Sequence, residues 1–284
     1  MADLTLITHV YNAQQPVDRQ LALWKQFSPA LRARLKFLVI DDHSDTPLQL
    51  DKGELDLRLV RVDDDIDWNM PGCRNLAATL CETPWMLFFD VDNVASEASL
   101  LKIVDNLPRL DRGRLHVFRR TENGVDVEPH INSFLITRQG FWRAGGYDED
   151  FSGHYGFEDV AFRMMWRKHV GGEVLLTDIA FEQIAFRTSG LDRDLTRNQA
   201  LIQRRAAAGL PKPRGCMRFA WHEVPAEAAR PLAAAGVAAP EAANNSSANG
   251  SFVPMLTLGV PGSGTTAVMV GALSLYNITP GPAL

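Results

Sequence analysis

The charged part of this 284-residue chain predicts an α/β fold, a sheet covered by helices on both faces. Three observations carry the prediction. Short strand-type runs alternate with helix-type segments. Two of the runs, 37–40 and 85–89, are continuously apolar, as strands buried on both faces are. Each of those two ends in a cluster of aspartates, and ligands of such sheets sit beyond the carboxyl ends of the strands.

The elements follow in order. Residues 4–8 read as a short strand. After Pro16, Leu21, Trp24, Phe27 and Leu31 recur at helical spacing and predict one helix through Leu31. Phe37-Leu38-Val39-Ile40 is a buried-type strand running into Asp41-Asp42, and 57–62 alternates in the strand manner. Residues 71–80 form a helix with Pro71 in its first turn. The strand at 85–89 ends at Asp90-Val91-Asp92-Asn93. Ser96 then caps a helix through Leu100, Ile103 and Leu107. A turn-rich acidic loop, Gly145 to Phe151, and Gly156-Phe157-Glu158-Asp159 lead into an amphipathic helix over 160–170.

Composition bounds the function. A net charge of −5, with 46% hydrophobic and 22% charged residues, describes a globular protein. No Lys/Arg-dense tract offsets the acidity, so nucleic acid is not the expected partner. Cys73, Cys81 and Cys216 form no CxxC pair and no zinc spacing, which fits a reducing compartment. The first residues lack the basic and apolar regions of a secretory signal, and a cytoplasmic location is expected.

The acid clusters carry the chemistry. In an extended segment residues i and i+2 face the same way, so Asp90 and Asp92 can address one ligand. Neighbouring carboxylates repel unless a cation or donors offset them. A hard divalent cation, Mn²⁺ or Mg²⁺, is the natural third party, completing its shell with phosphate oxygens and water. The same acids also serve as turn formers and helix caps. Gly72-Cys73-Arg74-Asn75, near a helix start, suits phosphate, with Arg74 as a charged donor.

Taken in order, Thr5-Leu6-Ile7-Thr8-His9-Val10-Tyr11-Asn12, Val39-Ile40-Asp41-Asp42-His43-Ser44, Arg74-Asn75, Phe89-Asp90-Val91-Asp92, Gly145-Gly146-Tyr147-Asp148-Glu149-Asp150-Phe151 and Glu158-Asp159 resemble a family 2 glycosyltransferase over about residues 4–208. The resemblance implies the GT-A fold, a Rossmann-like mixed sheet flanked by helices. It implies a nucleotide-diphospho-sugar donor, UDP- or GDP-linked, and a carbohydrate or lipid-linked acceptor. By the same resemblance His9, Tyr11, Asp41 and Asp42 hold the nucleoside, and Arg74 meets the diphosphate. Asp90 and Asp92 form the DxD element, with Asp92 the direct metal ligand. Asp159, paired with Glu158, is the catalytic base of an inverting transfer.

Some positions depart from the family pattern. Ala161 stands where a further acid is common, and His43 where glycine is usual. The Gln-x-x-Arg-Trp of processive synthases is absent, which favours transfer of a single sugar. His130 and His154 read as loop histidines that could also meet metal or acceptor.

The chain's composition changes near its end. No Asp, Glu, Lys or Arg follows Glu241, and the sequence divides into a glycosyltransferase-like domain over 1–220, an Ala/Pro/Asn/Ser linker over 221–250 and an apolar tail over 251–284. The tail has two readings. Its 252–276 run is long enough to enter a membrane, giving membrane association, and it is also a Gly/Pro-interrupted segment that could stay loosely docked. Phe252 to Ala267 and Ile278 to Pro282 resemble the large membrane subunit of tripartite tricarboxylate transporters (TctA-like). This leaves a second function class, a transporter fragment fused to a foreign domain.

Overall fold

The computed structural model describes residues 2–186, 191–213 and 216–225. The chain divides into two units, Met1–Arg230 and Pro231–Leu284, and the described residues all belong to the first. The tail at 251–284 and residues 226–250 of the expected linker lie outside the described residues.

Strand β1 (Leu4–Val10) leads to α1 (Gln14–Gln26) and the single turn α2 (Pro29–Arg32). The one helix expected through Leu31 is thus broken. Phe27 and Ser28 are extended (ψ 146° and 147°): Ser28, the residue before Pro29, is pushed out of the helical region by that proline, and it caps a fresh turn that Pro29 begins. Next come β2 (Leu35–Asp41), β3 (Leu57–Val62), α3 (Met70–Leu80), β4 (Trp85–Phe88), β5 (Asn93–Ala95) and α4 (Glu97–Asn106). Ser96 caps α4 by accepting from the Ser99 amide at 3.1 Å. The chain continues through β6 (Leu115–Glu122), β7 (Val125–Val127), β8 (Phe134–Thr137), α5 (Arg138–Ala144), α6 (Glu158–His169), β9 (Glu173–Gln183), α7 (Thr196–Ala207) and β10 (Trp221–Glu223).

The strands form one mixed sheet in the order β10-β3-β2-β1-β4-β8-β6-β9-β5, with β7 paired to β6. β3, β2, β1 and β4 run parallel, while β8 enters antiparallel to β4. Alternating side chains divide between two cores. Phe37 and Val39 of β2 pack with Trp24, Leu31 and Ile103 on the face covered by α1, α2 and α4. Leu38 and Ile40 pack with Leu76, Phe141 and Trp166 on the face covered by α3, α5 and α6.

Residues 221–223, expected in the linker, form edge strand β10 against β3. Arg58 fixes it through both carboxylate oxygens of Glu223 at 3.0 and 2.8 Å. The folded unit therefore runs a few residues past 220.

Candidate active site

Register brings the strand ends together. Ile7 pairs with Phe88 and His9 with Ile40, so His9, Asp42 and Asp90 leave β1, β2 and β4 side by side. They border a cleft of about 640 Å³, whose far wall is the start of α6. Of the nine residues singled out from the sequence, His9, Tyr11, Asp42, Asp90, Asp92, Glu158 and Asp159 line this cleft, and Asp41 and Arg74 do not.

Asp41 is displaced by strand geometry. Successive residues leaving a strand point to opposite faces, so when Asp42 enters the cleft Asp41 turns away. Its carboxylate is buried and fully engaged, accepting from the Ser44 amide (2.9 Å), the Leu48 amide (3.1 Å) and Arg61 (2.6 Å). It builds the loop after β2 and has no face toward a donor.

Arg74 sits beneath the floor of the cleft. Its guanidinium lies about 5.4–5.5 Å from the rings of Phe88, Phe134 and Tyr147. Its terminal nitrogens donate to the Tyr147 hydroxyl (2.7 Å), the Asn132 side chain and carbonyl (3.3 and 3.1 Å) and Asp90 (3.2 Å). A diphosphate could reach it only by breaking these bonds, and the arrangement instead orients Asp90. Asn75, the next residue, exchanges bonds of 3.0 and 2.8 Å with the Tyr147 backbone and so places that ring. Gly146 permits the approach: its φ is +70°, and a Cβ there would stand 2.7 Å from the Asn75 oxygen.

The two DxD acids are held differently. Asp90 also receives Asn132 (3.4 Å) and faces His130 Nε2 at 3.7 Å. Burial alone would raise its pKa, but His130, Arg74 and His9 hold it below the usual carboxylate value. Asp92 accepts from Gln183 (2.6 Å) and Asn93 (3.1 Å), and burial and then the Asp90 charge push it up. Buried Gln20 pins this turn by donating to the Val91 and Asn93 carbonyls. His130 borders the cleft, whereas His154 is exposed and lies off its wall.

Elsewhere the cleft disfavours charge. Burial, then the Arg74 cation, lowers His9 to about 4, so its imidazole is neutral. Burial raises Asp42 to about 7, and its Oδ1 has no hydrogen-bond partner. Burial and the Asp159 charge raise Glu158 to about 7, and its Oε2 is likewise unpartnered. Burial also raises Asp159 and Tyr11. Just before this acid pair, Phe157 is held at φ +69°, a strained conformation for an aromatic residue.

The donor set fits a Mg²⁺ or Mn²⁺ ion, which takes one or two carboxylates and fills its shell with phosphate and water. Among the described residues no three His, Cys, Asp or Glu side chains converge as a closed metal cage. Sequence reasoning gave no role to Trp68, Tyr155 and Arg193 on the wall, or to Asn132, Gln183 and Tyr147 behind it. Tyr147 lies in the Gly145–Phe151 motif, whereas the signal of the others is tertiary, since they come from loops and from β9.

Comparison with solved structures places the architecture. S. aureus TarS, as its 1–349 fragment, is 16% identical with a TM-score of 0.52, covering 64% of this chain and 60% of that one. The chain has the GT-A fold. The same fragment in complex with UDP-GlcNAc gives 17% identity and a TM-score of 0.53, covering 66% and 59%. This chain thus spans about three fifths of that fragment's length. The other end is similar to something else. A model of the tripartite tricarboxylate transporter TctA family matches residues 220–284, taking in β10 and the expected linker as well as the tail. Two uncharacterized Agrobacterium vitis proteins, in the TAR-II and TAR-I ttuC' 3' regions, are each 57% identical over 47 residues. That is 16% of this chain and 19% and 9% of theirs, so the chain spans less than a fifth of either relative. Among the described residues no helix is long and apolar enough to cross a membrane.

Proposed function

We propose that the unit over 1–225 is an inverting, metal-dependent glycosyltransferase that moves one sugar from a nucleotide-diphospho-sugar to a hydroxyl acceptor. The observation that carries it is the convergence of three separate acid clusters, Asp42, Asp90–Asp92 and Glu158–Asp159, on one cleft in a GT-A fold. TarS, which shares the fold, has been solved with UDP-GlcNAc and with UDP.

In this reading neutral His9, Tyr11 and Asp42 hold the nucleoside. Asp92, with Asp90 beside it, holds a Mn²⁺ or Mg²⁺ ion, which supplies neutralisation of charge on the departing diphosphate. Arg74 acts as a positioning residue through Asp90. Asp159 takes the proton of the acceptor hydroxyl as its oxygen bonds to the anomeric carbon. The bond from that carbon to the phosphate oxygen breaks, and its electron pair leaves on the nucleoside diphosphate. Attack from the face opposite the leaving group inverts the configuration. Burial strengthens Asp159 as a base, and Glu158, raised further, keeps a second full negative charge from forming beside it near neutrality.

Calorimetry of the full chain with UDP and with GDP, each with Mn²⁺, tests the reading. We expect one of them to bind in a metal-dependent way that Asp92→Asn abolishes, and the matching nucleotide sugar to be slowly hydrolysed. Absence of binding to either would overturn it. The match at 220–284 favours a second reading, a transporter-type segment joined to a nucleotide-sugar-binding domain, with membrane contact through 252–276. Equal solubility and equal lack of vesicle binding in the full chain and a chain ending at 225 would remove that membrane contact.

A further inference from the structure

The mouth of the cleft differs from its floor. The described residues include eight large hydrophobic side chains that are exposed, and four of these, Ile131, Val160, Phe186 and Leu195, stand on the wall of this one cleft, 36–43% exposed. Trp68 and Tyr155 extend the same rim, with ring centroids 4.6 Å apart.

These side chains are built in. Trp68 is held at φ +50° while its indole N–H donates to the Asp192 carbonyl at 2.6 Å, tying two loops together. The carbonyl of Ile131 accepts from Arg163 of α6 at 2.7 Å. Leu195 covers Gly156 so closely that a Cβ there would lie 2.4 Å from it. Val160 directly follows Asp159. Asp159 and this apolar rim thus line one cleft, together with Arg193, whose guanidinium lies 5.3 Å from the Trp68 ring centroid.

A nucleotide sugar can stack its base or a sugar face on Trp68 or Tyr155 but has no hydrocarbon chain to lay along the aliphatic side chains of Ile131, Val160 and Leu195, and exposed apolar surface concentrated at one place marks a binding site. We infer that the acceptor carries a hydrocarbon chain close to its reactive hydroxyl, as an alkyl- or lipid-linked glycoside does and a free sugar does not. The inference rests on the reading of Asp159 as the base and adds the acceptor's chemical class.

The probes are n-octyl β-D-glucopyranoside, kept below its micelle concentration, and methyl β-D-glucopyranoside. Each is titrated calorimetrically into the full chain with Mn²⁺ and UDP or GDP present. The octyl glycoside should bind about tenfold more tightly, as burial of two methylene groups would give. The double variant Phe186→Ser, Leu195→Ser should lose this preference and keep nucleotide binding. Serine is a favoured residue just before a helix such as α7, and urea unfolding of the double variant checks that it folds like the parent. Equal binding of the two glycosides, or a preference that survives in the double variant, would overturn the inference. Failure of both nucleotides with the octyl preference intact would overturn the transferase reading and support an apolar-ligand site.

Discussion

Asp41 and Asp42 leave β2 as neighbours, whereas Asp90 and Asp92 leave β4 with one residue between them, and the fold uses the two pairs differently. In the first pair one carboxylate is committed to the loop through Ser44, Leu48 and Arg61, and the other enters the cleft with an unpartnered oxygen. In the second both line the cleft, each oriented by side chains from elsewhere, Asn132 and Arg74 for Asp90 and Gln183 for Asp92. Backbone geometry explains the contrast: adjacent residues leaving an extended strand diverge, whereas Asp90 and Asp92 lie in a turn closed by the Asn93 amide on the Asp90 carbonyl (2.9 Å), which brings both acids and Val91 to the cleft. The extended end of β2 thus separates a structural acid from one that can meet a ligand, and the turn after β4 does not. The Glu158–Asp159 pair is adjacent yet lies wholly on the wall, because successive residues at a helix start are turned by only about 100°.

That third pair offers the largest test of the comparison. Asp159→Asn should lower the transfer rate by about 10²- to 10⁴-fold while the affinity for nucleoside diphosphate is kept. Steady-state kinetics with binding in parallel measure both, and comparable turnover would return Asp159 to the role of a helix-start acid. Asp41→Ala should act on folding. It removes a buried carboxylate from Arg61 and two amides, and urea unfolding should show a loss of about 3–5 kcal/mol. A variant as stable as the parent but unable to bind nucleotide would reverse the assignment of the two β2 acids.

Much of the parallel half was legible in the sequence, because its signals are local. Apolar runs mark β2 and β4, Ser96 and Pro71 mark helix starts, and the acids at strand ends mark the cleft. What escaped is held by distant contacts. Arg74 reads as a phosphate donor since an arginine near a helix start suits an anion, and only the packing of Phe88, Phe134 and Tyr147 around it shows that it lies behind the cleft wall. β8 and β9 enter the sheet through non-local pairing, and β9 supplies Gln183 from 91 residues beyond Asp92. β10 was hidden because a three-residue edge strand carries no periodicity of its own.

The cleft-facing acid of the β2 pair gives a smaller effect with a definite pH signature. Asp42 titrates near 7 in the fold and near 3.8 when unfolded. Between those values the native state binds more protons, so this group's contribution to stability is present at low pH and fades as the pH rises from about 4 through 7. Asp42→Asn should therefore gain on the parent by a few kcal/mol at pH 8 and show little difference near pH 4, read from urea midpoints. Identical pH dependence in the two proteins would mean that Asp42 is solvated.

The smallest effect sharpens the contrast between the DxD acids. Tyr147→Phe removes the 2.7 Å acceptor of Arg74 but leaves the ring that stacks on Phe162 at 4.3 Å. The packing survives, so the cost is that of one charged donor losing its partner, about 1–2 kcal/mol in stability. Asp90 depends on Arg74 for its position, whereas Asp92 depends on Gln183 and Asn93, which the change does not touch. Nucleotide affinity with Mn²⁺ should fall by about three- to tenfold and recover none of the loss at higher metal concentration, since what fails is the placing of Asp90 and not metal capture by Asp92. Full recovery at high Mn²⁺ would instead make Asp90 the principal ligand and reverse the order of the two aspartates.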